Sequence, residues 1–200
     1  MTSAFEKFMK QYKMTGSEKA DGYSRDVFIG LNEHEEEEVF VLLTTELPWS
    51  AEWLFFLNPA KAAVVAKDLE KKMRGDPYKD TYMLQRQLIK YTGELDYQTH
   101  MIEDYPNYPD SSRPYVVDAV DGTPINQAQL DFFKQVILVE VNSTAVARAS
   151  RHLLDAKKFP RISEIDKKKY DRILNELRSD SVQVKKRAIA EIDKYQATYT

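Results

Sequence analysis

The chain has no cysteine, which excludes disulfides and thiolate metal sites and fits a reducing compartment. Glycine is scarce, with six in 200 residues, each standing alone. No glycine-rich phosphate loop can be built from them, and no Gly-x-Ser-x-Gly elbow occurs. Long apolar runs are missing too. None approaches the roughly eighteen residues of a membrane span. The opening MTSAFEKFMKQYKM is amphipathic and carries no long apolar core of a secretory signal. A cytoplasmic protein is the expectation. Strand signals are few, and the one β-rich patch, Val136–Val141, sits inside a longer helical pattern.

What is present is charge in blocks and helical periodicity. The net charge of −3 resolves into −6 over residues 1–60, +4 over 61–92, −7 over 93–131, zero over 132–144 and +6 over 145–200. Blocks of this kind bear on partners and association rates rather than on fold. The length suits one domain spanning 1–200, or one compact array of repeats.

Helix signals run through most of the chain. Asn58 as cap, Pro59 in the first turn and the stop at Gly75 and Pro77 bracket one helix, whose apolar face is Ala62, Val65, Ala66, Leu69 and Met73. A second carries Tyr78, Tyr82, Leu84, Leu88 and Tyr91 and ends at Gly93. Further candidates lie at 3–13, 23–31, 33–47, 50–57, 94–104, 126–141, 143–156, 163–178 and 181–195. The expected fold is all-α, a stack of about ten short antiparallel helices. Alanine-rich faces at Ala62/Ala63/Ala66, Ala145/Ala147/Ala149 and Ala188/Ala190 suit close helix approach.

Ile173–Tyr195 carries a helix, an Asp–Ser turn, and then Val184, Lys185, Ala188 and Ile192 on the next helix. It resembles a HEAT repeat, with Lys185 where arginine is commoner and the aspartate one position closer to the valine. Asn142–Ala156 resembles the second helix of such a repeat more loosely. The helix starts at 143 and 181 are 38 residues apart, near the period of two-helix solenoids. The resemblance implies a right-handed HEAT- or armadillo-like superhelix.

One segment interrupts the pattern. Residues 104–124 hold four prolines, three tyrosines and four aspartates, and are expected to form an irregular loop. Tyrosine is not typical of disordered linkers, so this loop is expected either to pack across the helices or to be offered to a partner. In LPWSAEWLFFLNP, Trp53, Phe56 and Leu57 are expected to form one core face, with Trp49 half buried.

The candidate sites are acidic. In GLNEHEEEEVFVLLTTELP, Asn32 and Glu35 fit a capping box, and Glu33, Glu35 and Glu36 lie in the first turn, where the helix dipole favours negative charge. Val39, Leu42, Leu43 and Leu47 follow as a buried stripe. Glu37 and Glu38 have no such local task. His34 with Glu37 or Glu38, and His100 with Glu103 or Asp104, share helix faces, yet both run in the reverse of the Glu-x-x-His order of di-iron bundles. No metal and no cofactor are expected, and His152 is expected to be a partly exposed helix residue. The basic C-terminal stretch is interleaved with Asp155, Glu164, Asp166 and Asp171, as on a solvated helix, which argues against nucleic acid.

The expected function is therefore protein binding without catalysis. Glu37, Glu38, Asp104, Tyr105, Tyr108 and Asp110 are the expected acidic, tyrosine-bearing surface for a basic protein partner. The segment GLNEHEEEEVFVLLTTELPWSAEWLFFL resembles helical immunity proteins of bacterial contact-dependent growth inhibition systems. That resemblance implies a cognate nuclease-type toxin domain, blocked at its active site, with carboxylates standing in for phosphates. Two alternatives are a HEAT-type adaptor for a cellular protein and a nucleic-acid-binding HEAT protein of the DNA glycosylase kind.

Overall fold

The computed structural model describes residues 1–20 and 22–195. It is 72% helical, with no strand among the described residues. The helices are α1 (Ser3–Tyr12), α2 (Gly16–Ala20), α3 (Glu33–Thr45), α4 (Ala51–Leu57), α5 (Pro59–Met73), α6 (Tyr82–Thr92), α7 (Asp96–Asp104), α8 (Arg113–Asp121), α9 (Gln127–Val139), α10 (Ser143–Ala156), α11 (Glu164–Leu177) and α12 (Val182–Lys194). Single 3-10 turns occupy Arg25–Phe28 and Tyr105–Asn107.

Half of these helices start where a short polar side chain accepts a first-turn N–H. Thr2, Asn32, Asn58, Asn126, Asn142 and Ser163 all do so. Helix α6 ends on Gly93, whose φ of 74° is left-handed and costs a glycine little.

The chain forms two compact units, residues 1–74 with 79–94, and 75–78 with 95 onward. In the first, α4 packs against α3, α5 and α6, while α1 packs against α3 and the 3-10 turn after α2. Phe8, Val39, Leu43, Leu54, Phe55, Leu84 and Leu88 are among its fully buried side chains, with Ala62 and Ala66 permitting the close approach of α5. The face of α4 is displaced by one residue from expectation. Leu54 and Phe55 fill the core, whereas Phe56 is 38% exposed and stands against Phe28 and Trp53 at the edge. Tyr78 lies outside the core face of α6 and is exposed.

In the second unit α9 and α10 pack on each other, α7 packs on α9, and α8 packs on α10. The last hairpin joins with α12 on α9 and α11 on α10. Met101, Val117, Phe133, Ile137, Leu153, Ile173 and Ile192 are fully buried here, around Ala145, Ala149 and Ala188. The 104–124 segment departs from expectation: much of it is helical. Pro106 lies in the 3-10 turn and Pro114 in the first turn of α8. A first-turn proline loses no helical hydrogen bond, so it starts a helix rather than stopping one.

Candidate functional site

The acidic run of α3 divides by direction. Asn32 Oδ1 accepts from Glu35 N at 3.0 Å, and Glu35 Oε2 accepts from Asn32 N at 3.1 Å, closing the capping box. Glu35 has a second task that its own helix does not suggest. Its carboxylate accepts from Thr2 N and from Thr2 Oγ1, both at 2.7 Å, and so holds the start of α1. It is 5% exposed. Burial pushes its carboxyl up, but the hydrogen bonds from Thr2 and Asn32 outweigh this and leave it below the usual glutamate range.

Glu33, Glu36, Glu37 and Glu38 face solvent, as does His34. Glu37 is bridged by Lys61 Nζ at 2.5–2.6 Å, and that ammonium stands 4.4 Å over the Phe40 ring. Glu33, Glu36 and Glu37 flank Phe40 and Lys61 around a depression of about 240 Å³. Among the described residues no cation pairs with Glu33, Glu36 or Glu38. Three carboxylates without a cation partner among the described residues thus stand within two turns, at the end of the helix whose dipole favours negative charge.

The second cluster differs from expectation. Tyr105 and Tyr108 are buried, at 8% and 3% exposure, and Asp104 is buried as well. None of the three presents a surface anchor. Asp110 is exposed and lies 3.3 Å from Arg113 Nη1. The reason is Glu140, thirty-five residues after Tyr105. Tyr105 Oη donates to Glu140 Oε2 at 2.8 Å, and Arg113 Nη1 donates to the same carboxylate at 3.2 and 3.3 Å. Val141 N and Asn142 N add two further donors at 2.7 and 2.8 Å. Arg113 also donates to the Tyr108 and Pro106 carbonyls, at 3.0 and 3.4 Å. The segment is thereby clamped to the end of α9. Burial raises the Glu140 carboxyl, but these donors win and hold it low, while burial and the Glu140 charge push the Tyr105 hydroxyl up.

Glu37 and Glu38 belong to the first unit and Asp104, Tyr105, Tyr108 and Asp110 to the second. His152 is partly exposed, as expected, and is held between two carboxylates of α8, with Nε2 2.8 Å from Asp118 and Nδ1 3.2 Å from Asp121. Arg148 pairs with the same Asp118. Their spacings of thirty residues and more leave no local trace in the chain. Among the described residues no group of three His, Asp or Glu side chains could hold a metal ion, and no helix is long and apolar enough to cross a membrane. No family model, no curated protein and no solved structure matches the chain.

Proposed function

We propose that the protein is a binding protein whose acidic α3 surface captures a basic protein partner. The observation that supports this most directly is the trio Glu33, Glu36 and Glu38, exposed and without a cation partner among the described residues. The capping box needs only Asn32 and Glu35, and the helix dipole favours Glu33 and Glu36 in the first turn, but Glu38 lies beyond that turn and has no such local task. Glu33 and Glu36, three residues apart, are a like-charge pair on one face and cost the helix a few tenths of a kcal/mol, which a cationic surface would offset. Asp110 is the exposed acid of the second cluster.

The finer reading is an immunity protein of cytoplasmic location, bound to a basic nuclease-type toxin and covering its active site. A nuclease cleft is cationic because it binds phosphates, and a carboxylate row offers it a surrogate. The chain's acidic first block, its all-helical fold and the resemblance of the α3–α4 segment support this reading. Catalysis plays no part in it.

The test is co-purification with the product of the adjacent gene, followed by association kinetics. Steering by exposed charge raises on-rates by 10–10³, so reversing two of the three carboxylates in Glu36→Lys/Glu38→Lys should slow association about tenfold at low salt. The difference should shrink at high salt, where the screening length falls below 10 Å. Unchanged, salt-independent association would remove α3 from the interface.

A further inference from the structure

In the first unit an ammonium lies among three aromatic rings. Lys19 Nζ stands 4.8 Å from the ring centres of Tyr12 and Tyr23 and 5.3 Å from that of Trp49. Each distance is within the roughly 6 Å at which a ring face attracts a cation. The same nitrogen is 2.6 Å from Glu46 Oε1, and it donates to Tyr23 Oη at 2.9 Å and to the Tyr12 carbonyl at 3.0 Å. A lysine ammonium has three N–H donors. The cage meets them with a carboxylate, a hydroxyl and a carbonyl, and surrounds the rest with ring faces.

The walls of this cage do not depend on Lys19. Tyr23 stacks on Phe8 with centroids 5.2 Å apart, and Tyr12 stacks on the same ring at 5.9 Å. Phe8 is fully buried. Trp49 leans on Tyr23 at 5.6 Å, and Tyr23 Oη donates to Glu46 Oε2 at 2.6 Å, which fixes the carboxylate. Glu46 is the C-cap of α3, at the negative end of that helix, whose last turn carries no basic residue. Lys19 is the one cation that pairs with Glu46 among the described residues. Tyr12, Trp49 and Glu46 are only half buried, so the cage can be reached from solvent.

The segment that delivers Lys19 is lightly held. Helix α2 has five residues, far below the roughly 12–15 that an isolated helix needs. Gly16 opens it and Gly22 follows it, both left-handed, with φ of 61° and 77°. Thr15, Gly16 and Glu18 are exposed. Among the described residues, Lys19 makes every side-chain hydrogen bond and ion pair of α2. The cage holds the segment, and the segment does not hold the cage.

We propose that this cage binds a lysine side chain of another protein, and that Lys19 fills it as an internal stand-in until that lysine enters. The incoming ammonium takes over the same three acceptors and the same three rings. A trimethylated lysine keeps the charge but has no N–H to give, so the site selects the unmodified side chain. The cage and the acidic start of α3 can fail separately, because binding of a lysine peptide needs no cognate partner.

Amide chemical-shift titration with three capped hexapeptides tests this: Ala-Gly-Ala-Lys-Ala-Gly, its trimethyllysine counterpart and its norleucine counterpart. In the wild-type protein the lysine peptide should shift Tyr12, Lys19, Tyr23, Glu46 and Trp49, and should bind about tenfold or more tightly than the other two. Lys19→Ala should bind it about tenfold more tightly again, because a competing internal ligand is gone. n-Butylammonium should raise the melting temperature of Lys19→Ala more than that of the wild type, and tetramethylammonium should not. The proposal is overturned if the three peptides bind alike, if the shifts centre elsewhere, or if Lys19→Ala binds the lysine peptide no better than the wild type. Should that variant fail to fold, the wild-type titration decides alone, and the absence of lysine-selective shifts at the cage overturns the proposal.

Discussion

Tyr105→Ala should destabilise the second unit rather than weaken capture of a partner. The side chain is 8% exposed, its ring meets Phe132 edge-on with centroids 5.1 Å apart, and its hydroxyl donates to Glu140 at 2.8 Å. Truncating a buried aromatic to alanine costs about 3–5 kcal/mol through lost transfer energy and the cavity left behind. The hydroxyl accounts for part of that. A hydrogen bond to a charged acceptor is worth about 1.5–3 kcal/mol. Glu140 retains Arg113 and two backbone donors, so Tyr105→Phe should fall at or below the low end, about 1–1.5 kcal/mol. Urea denaturation followed by circular dichroism measures both. With a slope of about 2 kcal/mol per molar urea, the midpoint should drop by about 1.5–2.5 M for alanine and by under about 1 M for phenylalanine. An alanine variant whose midpoint stays within about 0.2 M of the wild type would refute the burial argument. It would return Tyr105 to the candidate surface.

Glu35 is held below its usual range when folded, so its stabilisation is full above the unfolded pKa and is lost as pH falls through the folded one. Thermal melts from neutral to about pH 3 should show Glu35→Gln less stable at neutrality and less acid-sensitive than the wild type; parallel curves would remove this linkage. Ala149 is fully buried on α10, so Ala149→Leu should overpack that face and cost about 1–3 kcal/mol, read from the same denaturation experiment. The Glu37–Lys61 bridge is solvent-exposed, at 59% and 40% for the two side chains, and Glu37→Gln should change stability by less than about 1 kcal/mol. Far-UV circular dichroism should report a helix content near 72%, and a value close to the one-third typical of globular proteins would contradict the fold.

The sequence by itself determined where most helices begin and end, and so the all-α class. Capping is local: Asn32 with Glu35, Asn58 with Pro59 and Gly93 after α6 act within four residues, and each stands in the chain as it stands in the fold. Apolar spacing of three and four likewise placed Val39, Leu43, Ala62, Ala66, Leu84 and Leu88 inside. Proline was the local signal with two meanings. Pro114 reads as a breaker within a run of turn residues, and only the helix that follows it shows that it opens α8. Tertiary structure alone decided how several polar groups are paired, because their partners are remote in the chain. Tyr105 and Arg113 turn inward towards Glu140, Glu35 reaches back to Thr2, and His152 settles between Asp118 and Asp121. Periodicity records which face of a helix is apolar. It does not record what a charged side chain meets across the interface, and so Glu33, Glu36 and Glu38 remained outside while Lys19 came to lie among three aromatic rings.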